Sequence, residues 1–182
     1  ATSSPGLAFL LTTVAQFGET GTYTYTDYWQ DLKDNQTLVK NGWSDAYYGD
    51  FTMAGGDRPL VVSYTTSPAA EVYYSEGAFS EPPTGNVLGP ETAFLQIEGA
   101  GILVGTPHVE LAQRFIDFAM GTTFQQDFPT RMWVFPVNPE AVLDETFAAF
   151  AEAPLKPATI DPHAISENRA KWIDEWAKIM LR

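Results

Sequence analysis

The chain contains no cysteine, only two histidines, and 10 Lys and Arg against 23 Asp and Glu in 182 residues. Without thiols there can be no disulfide, thiolate metal site or cysteine nucleophile. A cysteine-free chain also suits an oxidising, exported compartment. The formal charge of −13 repels phosphate backbones and anionic lipid surfaces, so nucleic acid is excluded as a favoured partner. The same field mildly favours cationic ligands, although the general acidity of a soluble secreted protein is the better explanation of it. No apolar run approaches the ~20 residues that span a bilayer, which argues against direct membrane insertion. The opening residues Ala1 to Pro5 lack the basic region and apolar core of a signal peptide. Low-complexity tracts and internal repeats are also missing.

What is present is a folded composition, 45% hydrophobic and 14% aromatic, enough for one sizeable core or two small lobes. Ser3 or Ser4 can cap a helix with Pro5 in its first turn. Leu7, Leu10, Leu11, Val14 and Phe17 then recur at helical spacing up to Gly18. A chain that opens on a helix cap is expected to be cut from something longer. A short helix is expected over 27–34, and Thr37 to Val39 reads as a short strand. Asn41-Gly42 turns the chain into Trp43, and Ser44 can cap a helix from Asp45 toward Phe51. Leu60 to Tyr64 is a continuous apolar run that predicts a buried parallel strand, and Thr66-Ser67-Pro68 opens the next helix, to about Tyr74. Strand followed by capped helix, twice over, predicts an α/β fold that presents ligands at strand C-terminal ends.

The stretch 75–92, rich in Gly, Pro and Ser, is the candidate hinge or long loop. Phe94 to Glu98 and Gly101 to Val104 read as strands. Thr106-Pro107 opens a helix with Val109, Ala112, Phe115, Ile116 and Ala119 inward and Gly121 at its end. One more helical turn is expected over 122–128 and an extended, proline-flanked segment over 129–137. C-terminal helices are expected within 139–182: a short one over 140–151, and an amphipathic one from Asp161-Pro162 with Ile165, Trp172, Ile173, Trp176 and Ile179 on one face.

The residues for catalysis are sparse. His108 and His163 lie far apart, each beside a proline at a helix start, which fits surface or capping roles better than metal ligation. Ser44, Ser63 and Ser67 have no Gly-x-Ser-x-Gly context and no nearby histidine. Asp45 and Asp50 could imitate a glycosidase pair, but acids are common throughout this chain. Binding is better represented. Trp43 follows a glycine turn at a helix mouth, Tyr64 ends the apolar run before a capped helix, and Trp133 lies between prolines with Met132 and Phe135. For each of the three, core packing and a ligand-contacting role are equally open. Ser3-Ser4-Pro5-Gly6 offers hydroxyls and free amides at a helix start, which can serve as a plain cap or as an anion station.

Thr2-Ser3-Ser4-Pro5-Gly6-Leu7, Gly42 to Tyr47, Ser63 to Ala69 and Trp133 to Val137 resemble, in order, the C-terminal half of the thiamine-binding proteins of bacterial ABC transporters. The closing run Arg169 to Trp176 resembles that family's last helix. The resemblance implies a type II periplasmic-binding-protein fold of two α/β lobes around a cleft. Residues 1–182 would supply the second lobe and the C-terminal helices, with the first lobe absent. It implies that Trp43, Tyr64 and Trp133 line a thiamine site, with Asp45, Tyr47 and Ser67 beside them. Ser3, Ser4 and Gly6 would hold the phosphate of thiamine phosphates. It further implies no catalysis and no cofactor beyond the transported ligand. The partner would be an ABC permease, and the location periplasmic or extracellular, with a lipid anchor in the parent as one form. The chain departs from the family at Ala70, where a tyrosine is frequent and where Tyr73 or Tyr74 would have to compensate, and in a longer insert over 80–89. Alternatives with the same fold are a binder of a polyamine, ferric iron or a phosphonate, and a non-catalytic relative of thiaminase I, whose chemistry needs the cysteine this chain lacks. The terminal face of Ile165, Trp172 and Trp176 is expected to pack on the absent lobe, so that the isolated chain self-associates.

Overall fold

The structure is a computed structural model that describes residue 1 and residues 3–182. Thr2, part of the first resemblance motif, lies outside the described residues. Helices run in the order α1 (Ser4–Phe17), α2 (Tyr25–Asp34), α3 (Trp43–Asp45), α4 (Ser67–Tyr74), α5 (Val109–Met120), α6 (Thr122–Gln125), α7 (Phe128–Arg131), α8 (Glu145–Phe150) and α9 (Pro162–Met180). A single π turn, Ala46–Asp50, follows α3, and a 3-10 turn covers Thr52–Ala54. The chain divides into two compact units. The first comprises Ala1–Tyr64, Val87–Gln96 and Pro154–Arg182, and the second Thr65–Asn86 and Ile97–Ala153.

In the first unit, α1 starts where expected. Ser3 is extended and its hydroxyl accepts from the Gly6 amide at 3.3 Å, Pro5 sits in the first turn, and Gly18 ends the helix at φ 65°. Helix α2 begins two residues earlier than expected, because Thr24 and Asp27 form a reciprocal capping box. Leu10, Leu11 and Val14 of α1, Tyr25 and Trp29 of α2, and Trp172 and Trp176 of α9 form one buried cluster. The Trp29 indole meets Trp176 edge-on at 5.9 Å and donates to the Thr13 hydroxyl at 2.9 Å, so its polar atom is satisfied inside the core. Burying each such side chain contributes about 1.5–3 kcal/mol. The expectation that the Trp172 and Trp176 face awaits an absent lobe is corrected, since α1 and α2 already cover it.

Ion pairs tie the edges of this unit. Lys171 binds Glu19, and Lys156 reaches Glu91 at 2.5 Å. The hydrogen bond from Lys171, against a smaller opposing effect of desolvation, holds the Glu19 carboxyl below its ordinary value. The folded value being the lower one, this pair stabilises fully above the unfolded carboxylate range and loses its effect as pH falls through the folded value. We expect Glu19→Gln to lower the melting temperature slightly at neutral pH, and the difference from the parent to shrink as pH falls through and below the ordinary carboxylate range, as followed by circular dichroism.

A tight loop closes after the π turn. The Arg58 amide donates to Asp50 O and the Thr52 amide to Arg58 O, both at 2.9 Å. Gly56 lies so close against this turn that a Cβ would fall 2.1 Å from the Asp50 carbonyl carbon and oxygen. Backbone cannot yield that much, so Gly56→Ala is expected to cost about 1–3 kcal/mol in urea unfolding.

The second unit is more sparsely buried. Phe147 of α8 is its one buried aromatic side chain among the described residues, with Pro129 of α7 and Ala69 of α4 also in the buried set. Helix α5 has the expected span and ends at Gly121, but none of its residues is buried, and Val109 and Phe115 are about half exposed. The inward face assigned to it is therefore corrected.

The expected strands are corrected as well. Among the described residues no segment joins a β-ladder, and the only bridges are the isolated parallel pairs Phe51–Arg58 and Phe94–Ala158. Leu60, Ile97 and Leu103 are largely exposed, so the runs 60–64, 94–98 and 101–104 form no strand, the single bridge at Phe94 apart, and none of their residues is buried. A parallel strand needs neighbours on both edges and cover on both faces, and these residues provide neither for one another. No described helix is long and apolar enough to cross a membrane.

Candidate functional site

The first aromatic station is built by the turn after Gly42. Gly42, in extended conformation, caps the short α3, and Ser44 lies inside that helix rather than at its cap. The Phe51 amide then reaches back to Ala46 O at 3.1 Å, widening the turn into a π geometry. Across this turn Tyr47 is buried, 4% exposed, whereas Tyr48 is 62% exposed. Trp43 stacks on Tyr47 with centroids at 4.8 Å and 30° between planes. Tyr48 meets Trp43 edge-on at 5.5 Å, and Tyr64 lies tilted at 5.8 Å. The Trp43 indole donates to the Ser63 hydroxyl at 2.9 Å. The structure thus brings together Trp43, Tyr47 and Tyr64 of the expected set, with Tyr47 as a buried support under Trp43. Asp45 and Ser44 are exposed and line an adjoining open depression of about 630 Å³ with Lys40, Asn41 and Tyr48. Lys40 is paired with Asp50 at 2.9 Å.

The second station surrounds Trp133, in the other unit. The segment expected to be wholly extended is helical over Phe128–Arg131, and Trp133 follows with a left-handed φ of 56°. For a tryptophan this conformation is strained and persists only when its surroundings determine it. Those surroundings are plain. The Thr66 hydroxyl donates to Trp133 O at 2.8 Å, and the Trp133 indole donates to the Tyr74 hydroxyl at 3.2 Å. The ring stacks on Phe147 at 6.2 Å and meets Tyr73 and Tyr74 edge-on at 5.5 and 5.4 Å. Ser67 is the first residue of α4, half-buried, immediately after Thr66 at the cap position.

Ser3, Ser4 and Gly6 stand together at the start of α1. Ser3 already uses its hydroxyl on the Gly6 amide, and Ser4 is exposed. A Cβ at Gly6 would approach the Ser3 Oγ to 3.0 Å, so this cap is closely fitted. His108 precedes α5 and is exposed, and the His163 amide donates to Asp161, which caps α9. Among the described residues no group of three His, Asp or Glu is placed to hold a metal ion.

Residues 7–157 match the family of bacterial extracellular solute-binding proteins. The chain belongs to this family. It is 34% identical over 190 residues to the thiamine-binding periplasmic proteins of Salmonella typhimurium and Escherichia coli, covering 100% of this chain and 51% of each relative. The thiamine-binding periplasmic protein of Brucella suis is 34% identical over 176 residues, covering 96% of this chain and 49% of its own length. A solved periplasmic thiamin binding protein superposes with a TM-score of 0.75 at 31% identity, over 98% of this chain and 52% of that one. The chain thus spans about half the length of the relatives it matches, and it shares the fold of a type II solute-binding protein over that span.

Within this solute-binding protein, reasoning from sequence passed over Tyr48, Ser63, Thr66 and Phe147 as neighbours of the aromatic stations. Two tyrosine doublets, Tyr47-Tyr48 and Tyr73-Tyr74, were the available signal. In each, both rings meet a tryptophan; Tyr47 is buried and Tyr48 exposed, whereas Tyr73 and Tyr74 are both exposed.

Proposed function

We propose that this chain is part of the extracytoplasmic solute-binding component of an ABC transporter, and that its ligand is thiamine or a thiamine phosphate. The observation that carries the reading is 34% identity across the whole chain to proteins named for thiamine binding. The aromatic stations support it. A thiazolium cation is attracted to the faces of tryptophan and tyrosine by about 0.5–2 kcal/mol per contact, and an aminopyrimidine stacks on the same surfaces. Trp43 over its Tyr47 support, with Tyr64, is one such contact, and Trp133 is another, each read by itself. Asp45 and Ser67 supply polar groups at helix starts. Ser3, Ser4 and Gly6 are read as the phosphate contact, where free amides and the helix dipole favour an anion.

In this reading the chain is the second lobe with the C-terminal helices of a two-lobed binder. It works in the periplasm or outside the cell, with a lipid anchor as one form of the parent. It hands its ligand to a permease and catalyses nothing.

Calorimetry on the 182-residue chain tests the ligand, using thiamine, thiamine diphosphate and putrescine as probes. Saturable binding of the thiamine compounds, with putrescine weaker, is the expected result. A folded chain that binds putrescine equally well, or binds none of them, overturns the assignment. Mass spectrometry is expected to recover the thiamine uncleaved.

A further inference from the structure

Helix α4 touches Trp133 at both of its ends. The Thr66 hydroxyl, at its N-cap, holds the Trp133 carbonyl at 2.8 Å, and the Tyr74 hydroxyl, in its last residue, accepts from the Trp133 indole N–H at 3.2 Å. Tyr74 is itself 63% exposed and contributes little burial, so core packing does not account for its placement. Its ring lies at 61° to the indole with centroids 5.4 Å apart, and Tyr73 completes the corner at 5.3 Å from Tyr74 and 5.5 Å from Trp133. Phe147 backs the indole in a stacked arrangement at 6.2 Å. Packing against Tyr73 and Phe147 confines the faces of the indole, and the Tyr74 hydroxyl is the partner that its N–H meets.

We propose that Tyr74 is a positioning residue for ligand binding, fixing the orientation of the Trp133 indole through its hydroxyl. This rests on the reading of Trp133 as a thiamine contact. The geometry explains the division of labour around the ring. From α4, Thr66 at the cap anchors the strained backbone and Tyr74 sets the rotation of the indole about its side-chain bonds, while Phe147 of α8 supports the rear face. An indole whose N–H is held this way presents a fixed π-face to a cation, so less ordering remains to be done when ligand arrives. It follows that removing one oxygen atom from an exposed tyrosine reduces affinity, which a surface residue without this task would not do.

The test compares the parent chain with Tyr74→Phe, Trp133→Phe and the double variant. In the ligand-free protein, the 15N-labelled Trp133 indole resonance, assigned by its loss in Trp133→Phe, is expected to move in Tyr74→Phe and to exchange faster with water. Thiamine affinity measured by calorimetry is expected to fall about three- to tenfold in Tyr74→Phe, and the hydroxyl to have no effect when Trp133 is already phenylalanine. An unmoved indole resonance, or an equal loss of affinity from the hydroxyl in both backgrounds, overturns the positioning role. Unchanged affinity in Trp133→Phe and also in Trp133→Ala overturns the ligand reading of Trp133, and the role of Tyr74 in binding falls with it. The ligand-free resonance still reports the bond itself, so the two failures are distinguishable.

Discussion

Phe147→Ala is expected to destabilise the second unit by about 3–5 kcal/mol, the range for truncating a fully buried phenylalanine. Phe147 is 0% exposed, and among the unit's described residues only smaller apolar side chains such as Pro129 and Ala69 are buried to a similar depth. Helix α8, which carries it, packs on α4, and the rings of Trp133 and Phe135 lie against it at 6.2 and 5.0 Å. Truncation therefore leaves a cavity beneath two aromatic rings instead of one that neighbours can refill. A domain's whole stability is of the order of 5–15 kcal/mol, so this one change removes a large part of it. Amide hydrogen exchange should show protection lost in α4 and α8 while α1, α2 and α9 keep theirs. Equal loss across both units, or a cost under about 1 kcal/mol, would contradict the placement of Phe147 as the centre of this core.

Trp43→Ala is expected to weaken thiamine binding by more than tenfold, and Trp133→Ala by a similar factor. The argument for Trp43 is the completeness of its support. Tyr47 lies stacked beneath it and Ser63 holds its indole N–H at 2.9 Å, so the ring is oriented before any ligand arrives. Loss of one cation–π and stacking surface removes about 0.5–2 kcal/mol, and the ligand-facing area of the indole goes with it. Tenfold corresponds to about 1.4 kcal/mol. Trp43→Phe should retain part of the affinity because it keeps an aromatic face. Calorimetric affinity unchanged in both alanine variants, with native circular dichroism, would remove the aromatic stations from the site.

How much was legible depended on the range of the interactions involved. Helices α1, α4 and α9 were readable because their starts are written in adjacent residues: Ser3 with Pro5, Thr66-Ser67-Pro68, and Asp161-Pro162. Helix α8 was expected from Glu140 but starts at Glu145, where the Asp144 side chain accepts from the amides of Thr146 and Phe147. That competing cap is equally local in sequence. The runs 60–64, 94–98 and 101–104 carry strand-like residues, yet pairing is a property of two segments, and hydrophobicity in one of them cannot supply its partner. Trp133 was identified as a candidate contact, but its left-handed backbone could not be foreseen. It depends on Thr66, Tyr74 and Phe147, all distant in sequence.

By itself, the sequence determined that this chain has no thiol chemistry, carries strong negative charge, starts α1, α4 and α9 at their local caps and holds aromatics at helix mouths. Those are properties of residue type and near neighbours. Only the tertiary structure decided which rings meet: that Tyr47 lies beneath Trp43 while Tyr48 faces water, that α1 and α2 cover the tryptophans of α9, and that both ends of α4 hold Trp133. The reason is physical. Caps are satisfied within one turn of chain, whereas ring orientation and burial are set by contacts between segments that only folding brings together.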